Sequence, residues 1–223
     1  MHSPLQFIFF NIQQNVKFIS KVLYQFIIFD LGGILEIHDV DGFCKWIKKK
    51  FKLRYEVKEI YSTYKRIGYL LDTDEIDERE FYKRFTSEMG IKIPYEEFYK
   101  RYFTYHVKQC RDVLEFIKES LFERYEIYIF SNNSRINVRN FKKKIDFEKL
   151  FDKCIYSYDL HIKKPDIDFF KNGLKIIGHK GEECIFIDDQ IKSKEPSESM
   201  GIKFILYKNL NQLKKDLKAL EII

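Results

Sequence analysis

The chain has 223 residues, 45% hydrophobic and 17% aromatic, too apolar for a disordered polymer and long enough for one domain with an insertion or two small domains. Its formal charge of +6 comes from 40 basic and 34 acidic residues spread along the chain, so no nucleic-acid stripe is expected, and the KKK runs at 48–50 and 142–144 read as solvated helix faces. Four scattered cysteines without a C-x-x-C pair argue against a zinc site or disulfide framework and for a reduced, cytoplasmic setting. No apolar run approaches a membrane span, and the N-terminal FIFF lacks the basic flank and cleavage site of a signal peptide.

Residues 1–23 precede the first strand and read as an extension of unknown role. FIIFD, ending at Asp30, is the first of five short apolar segments rich in β-branched and aromatic residues; EIYIFS ends at 131, CIYS at 157, CIFIDD at 189 and KFILY at 207. Continuous apolar strands with helical patterns between the later ones predict a doubly wound α/β fold, a Rossmann-like parallel sheet buried on both faces. In such sheets ligands sit outside the carboxyl ends of the strands, and there Asp30, Ser131 and the pair Asp188 and Asp189 fall.

Residues 41–108 hold no comparable strand and read as a helical bundle inserted between the first strand and the rest of the sheet. Phe43, Trp46, Ile47 and Phe51 share one helical face after Asp41. Asp77 and Glu80 form a capping-box pattern flanked by Ile76 and Phe81, and that helix stops at Gly90. Pro94 opens another, with Phe98, Tyr102 and His106 on one stripe. The expected organisation is a core of 24–40 and 109–223 with a helical cap of 41–108.

Taken singly, these polar residues have ordinary readings. Asp30 suits a turn, Ser131 a helix N-cap, and Lys164 a surface loop before a helix capped by Asp166. The adjacent acids Asp188 and Asp189 are harder to place without a nearby cation. Taken together, Asp30 in FDLGGIL, Ser131 in IFSNNS, Lys164 in IKKPD and Asp188/Asp189 in FIDD resemble the four motifs of the haloacid dehalogenase superfamily over about residues 24–207. DEREFYKRFTSEMGI looks like a helix of its helical cap, and the FDLG start resembles the branch that includes sugar-phosphate phosphatases.

The resemblance implies a Mg²⁺-dependent phosphatase of a small phosphorylated metabolite, a sugar phosphate or nucleotide, with no nucleic acid, membrane or oligomeric state implied. By resemblance Asp30 is the nucleophile that forms an aspartyl-phosphate, and Asp30, the Gly32 carbonyl and Asp189 hold the metal with Asp188 in support. Ser131, the Asn132 N–H and Lys164 bind the phosphoryl oxygens, Lys164 also neutralising the nucleophile.

The sequence departs from that pattern at Gly32, where the family's phosphatases commonly carry an aspartate that protonates the leaving group. The dehalogenases usually have tyrosine there, which argues against dehalogenation. Glu36, His38, Asp39 and Asp41 are candidate replacements, His38 the best matched by its ordinary pKa and also a candidate substrate contact. His161 replaces a usual glycine, and Ser193 a usual asparagine. A binding protein impaired by Gly32, and a phosphosugar mutase, are the alternatives. Neither glycine-rich nucleotide loop is present.

Overall fold

The computed structural model describes residues 24–105, 108–143 and 148–223; the N-terminal extension and His106 lie outside the described residues. All five expected strands form: β1 (Phe26–Phe29), β4 (Glu126–Ser131), β5 (Lys153–Tyr156), β6 (Cys184–Asp188) and β7 (Lys203–Leu206). They make one parallel sheet in the order β5-β4-β1-β6-β7, with β1 in the centre and fully buried. Alternation along β1 divides the core. Ile27 and Phe29 pack on one face with Ile129 and Ile187, whereas Phe26 and Ile28 pack on the other with Phe130 and Phe186. Burial on both faces is why these strands read as unbroken apolar runs.

Between residues 40 and 105 the chain forms four helices: α1 (Val40–Phe51), α2 (Val57–Asp72), α3 (Glu78–Glu88) and α4 (Tyr95–Tyr105). They enclose a separate aromatic core in which Phe43, Tyr64, Phe81, Phe85, Phe98 and Tyr102 meet, largely edge to face. Caps fix where two of these helices begin, and one of them differs from the sequence expectation. The N-cap of α1 is Asp39, whose carboxylate accepts from the Gly42 N–H at 2.8 Å, while Asp41 lies in the first turn and pairs with Lys45. On α3, Asp77 accepts from the Glu80 N–H at 2.8 Å, but Glu80 turns to Arg84 at 2.7 Å. An i,i+4 ion pair thus replaces the second half of the capping box.

The sequence pattern also missed a short ladder. β2 (Glu36–Ile37) pairs antiparallel with β3 (Lys108–Gln109), Glu36 opposite Gln109, where the chain leaves for the four helices and returns. The end of α2 docks on the sheet side. Asp72 receives Lys163 at 2.6 Å, the Thr73 carbonyl accepts from His161 Nδ1 at 2.8 Å, and Asp74 receives Arg135 at 2.9 Å. Among the described residues no helix is long and apolar enough to cross a membrane. Cys44 and Cys184 are buried, and Cys110 and Cys154 are partly so.

Candidate active site

Parallel register puts the polar strand ends side by side. Phe29 lies opposite both Ile129 and Ile187, and the Asp30 N–H extends the ladder to the Ile187 carbonyl at 2.8 Å. Asp30, Ser131, Asp188 and Asp189 therefore meet at the carboxyl edge beside a cavity of about 550 Å³. Lys164 joins them from a loop. Its Nζ lies 3.1 Å from Asp30 Oδ1 and 2.8 Å from Asp188 Oδ2, and its side chain is 2% exposed, far from a surface lysine. Asn132 fixes that loop: its Oδ1 accepts from the Lys164 N–H and its Nδ2 donates to the Lys164 carbonyl, both at 2.8 Å. The sequence offered no sign of this anchoring beyond the place of Asn132 after Ser131.

The electrostatics are dominated by burial. Desolvation pushes the Asp30 carboxyl up to about 7 against the opposing pull of Lys164, and the Asp188 charge adds to the rise. Asp189 is raised as well, chiefly by burial, despite the Gln190 hydrogen bond that favours its ionised form. For Lys164, burial works to lower the pKa, but Asp30 and Asp188 outweigh it and hold the ammonium charged. Three carboxylates facing one lysine carry excess negative charge, which protons or a cation can relieve.

The donor set fits a hard divalent cation. Asp30, Asp188 and Asp189 offer oxygens within 4.8 Å of one another. Gly33 has φ +77°, and a Cβ there would lie 2.3 Å from Asp189 Oδ2, so only glycine lets the loop close on that carboxylate. A Cβ at Gly32 would meet nothing within 4 Å, so that position is open space on the cavity wall. Ser131 is fully buried and does not line the cavity; its Oγ is a buried donor without a hydrogen-bond partner.

The four acid–base candidates after the turn part company. Asp39 caps α1, and Asp41 is exposed and paired with Lys45. Glu36 is fully buried, and its Oε1 meets His38 Nε2 and the Asn133 side-chain amide, the latter at 2.9 Å. His38 lines the cavity with Asp30 and Lys164. His161 adopts φ +56°, the backbone a glycine would take more easily, and turns to Thr73 rather than to the cavity. The Ser193 hydroxyl is buried without a hydrogen-bond partner.

The family model of haloacid dehalogenase-like hydrolases matches residues 27–207. The chain belongs to that family. A family enzyme from Bacteroides thetaiotaomicron superposes with a TM-score of 0.76 at 21% identity, over 86% of this chain and 98% of that one. An Asp-to-Ala mutant of that enzyme, in complex with magnesium and inorganic phosphate, gives 0.73 at 21% identity over 85% and 98%. These likenesses show a shared fold. Glyceraldehyde 3-phosphate phosphatase of Methanocaldococcus jannaschii is 33% identical over 60 residues, 26% of each chain. Drimenol cyclase of Aspergillus calidoustus is 28% identical over 104 residues, 47% of this chain and 20% of that one. The matched stretches thus span about a quarter or less of these two curated relatives.

Proposed function

We propose that this family member is a Mg²⁺-dependent phosphatase that hydrolyses a small phosphorylated metabolite through an aspartyl-phosphate on Asp30. The observation that carries the reading is the buried bridge of Lys164 between Asp30 and Asp188, with Asp189 adjoining at the cavity. The phosphatase relative and the neighbour's magnesium–phosphate complex support it.

Asp30 Oδ1 accepts from the Leu31 N–H at 2.7 Å and from Lys164, so Oδ2 is the oxygen presented for attack on phosphorus. Asp30, Asp189 and the Gly32 carbonyl would hold the cation, with Asp188 supporting; when bound, it screens the repulsion between carboxylate and phosphate dianion. The Asn132 N–H and Lys164, which line the cavity, receive the phosphoryl oxygens, and Lys164 balances the charge that develops in transfer; Ser131, buried behind the cavity wall, is left out of the contact set. Residues 41–108 act as the cap over a core of 24–40 and 109–223. The cavity's size and the Tyr61, Tyr64 and Tyr102 rings along it suit a small polar ester such as a sugar phosphate or nucleotide.

The test is phosphate release from sugar phosphates, nucleotides and an aryl phosphate, with and without Mg²⁺, by the wild type and Asp30→Asn. Metal-dependent turnover that falls to background in the variant is expected. A folded, Mg²⁺-binding protein that releases phosphate from none of them would instead be the binding protein that Gly32 favours.

A further inference from the structure

We infer that Asn137 determines which esters the site accepts: its side chain takes a hydrogen bond from a hydroxyl of the leaving group, so that the substrate is the phosphate ester of a sugar or polyol. The inference deepens the phosphatase reading and rests on it. It starts from a polar atom that the fold leaves unmatched. Asn137 is 7% exposed and lines the cavity, and its Oδ1 is buried with no hydrogen-bond partner among the described residues. A buried acceptor without a donor is costly, so such atoms are rare unless a ligand or an ordered water completes them.

Asn137 stands out against its own helix. The helix Arg135–Lys142 also buries Ile136, Val138 and Phe141, all apolar, and Ile136 packs into the aromatic core of the four inserted helices. The amide thus sits at the seam between the sheet side and the insertion. Tyr64 of α2 and Tyr102 of α4 pair there through their hydroxyls at 3.2 Å. Asn137 donates to the Tyr102 oxygen, which opposes the rise that burial imposes on that phenol. With Nδ2 turned to Tyr102, Oδ1 is the atom left for a ligand.

The same chain segment carries the phosphoryl site. Ser134 caps the helix, and Asn132 lies two residues before the cap. Two extended residues and three helical ones hold the α-carbons of Asn132 and Asn137 within about 12 Å of one another. Asn132 is tied to the Lys164 main chain by both atoms of its amide, and Lys164 Nζ reaches Asp30 at 3.1 Å. With a phosphoryl group held by the Asn132 N–H and Lys164, a leaving group of about three to five carbons bridges the distance to Asn137.

The wall decides the chemistry of the donor. Beside Asn137 stand Tyr64 and Tyr102, both neutral, and the cavity's carboxylates outside the Asp30, Asp188 and Asp189 cluster are committed. Asp39 caps α1, Asp41 pairs with Lys45, and Asp72 pairs with Lys163. An ammonium would enter that wall without a counter-ion, whereas a hydroxyl brings a donor with no charge to desolvate.

The experiment measures kcat/KM of the Mg²⁺-supplemented full chain for matched esters: glycerol against propyl phosphate, erythritol against butyl phosphate, and ribitol against pentyl phosphate. Nucleotides and 4-nitrophenyl phosphate serve as controls. The proteins are the wild type, Asn137→Leu, the smaller Asn137→Ala in case the leucine does not fold, and Asp30→Asn. For at least one pair the wild type is expected to favour the polyol ester by about 10- to 100-fold. Loss of the acceptor in the Asn137 variants should cut that ratio at least about tenfold, which a merely structural role would not do, because it would lower both esters alike. The wild-type ratios are read independently of any variant. Ratios near one for every pair in the wild type, or a polyol preference undiminished in the Asn137 variants, would each overturn the assignment. Release from none of the esters and controls, or release that survives Asp30→Asn, overturns the phosphatase reading and the assignment with it. Asp30-dependent release from the controls alone overturns only the assignment.

Discussion

Gly33 shows how little room the site leaves. With φ +77° and a prospective Cβ 2.3 Å from Asp189 Oδ2, an added methyl must displace the carboxylate or the loop. Gly33→Ala is expected to weaken Mg²⁺ binding at least about tenfold, because ligand geometry rather than ligand identity is lost; calorimetric titration checks this, and an unchanged affinity would show that the loop yields. The neighbouring Gly32 is the opposite case, with no heavy atom near its prospective Cβ. In the sequence the family resemblance singles out Gly32, and nothing marks Gly33 beyond its place in the same turn. Their different roles follow from what the fold brings against each.

At the scale of elements, α2 does two jobs. Its end is tied to the sheet side through Asp72 and the adjoining Thr73 and Asp74, and Tyr64, Gly68 and Leu71 line the cavity. Ser157 strengthens the joint: its Oγ donates to the Asp72 carbonyl at 2.6 Å and accepts from the Asn133 N–H at 3.0 Å, linking α2 to the segment that holds Glu36. Gly68 sits inside the helix, and a Cβ there meets only Tyr64 and Phe81 at ordinary contact distances of 3.9 and 4.0 Å. Gly68→Ala should therefore stabilise the protein by about 0.5–1 kcal/mol through helix propensity. It should also raise KM for the bulkier substrates, because the methyl faces the cavity wall. Urea unfolding and a substrate series check the two effects, and a loss of stability would mean that the helix cannot accept the methyl.

Across the whole molecule, the buried acidic cluster links stability to pH and metal. A carboxyl raised from 3.8 to about 7 on folding, as Asp30 is, contributes stability below its unfolded pKa and loses it as pH rises through 7. The metal-free wild type should thus lose melting temperature between about pH 4 and 7 relative to Asp30→Asn, which has no proton to lose there. Mg²⁺ should restore the wild type above that range and the variant much less, by binding the ionised cluster. Parallel melting curves for the two proteins across pH would sink the linkage.

Much of this architecture was legible locally. The five strands, the start of a helix at Asp77 and its stop at Gly90, and the Asp166 cap are short-range patterns. They could be read because apolar periodicity and capping depend on residues a few positions apart. The two-residue ladder of β2 and β3 has no period to detect, and Glu80 chose Arg84 over its expected backbone partner because both are available within one turn.

By itself, then, the sequence determined a doubly wound sheet, a helical insertion and a set of polar residues at the strand ends, because chain-local hydrophobic patterns specify each of these. Only the tertiary structure decided how those residues are paired: Lys164 buried between Asp30 and Asp188, Asn132 clasping the lysine loop, Gly33 pressed to Asp189, and Asn133 reaching Glu36 across 97 positions of chain. Such pairings depend on strand register and on burial, which make a hydrogen bond between distant segments worth forming and an unpaired charge costly, and neither property belongs to any single stretch of sequence.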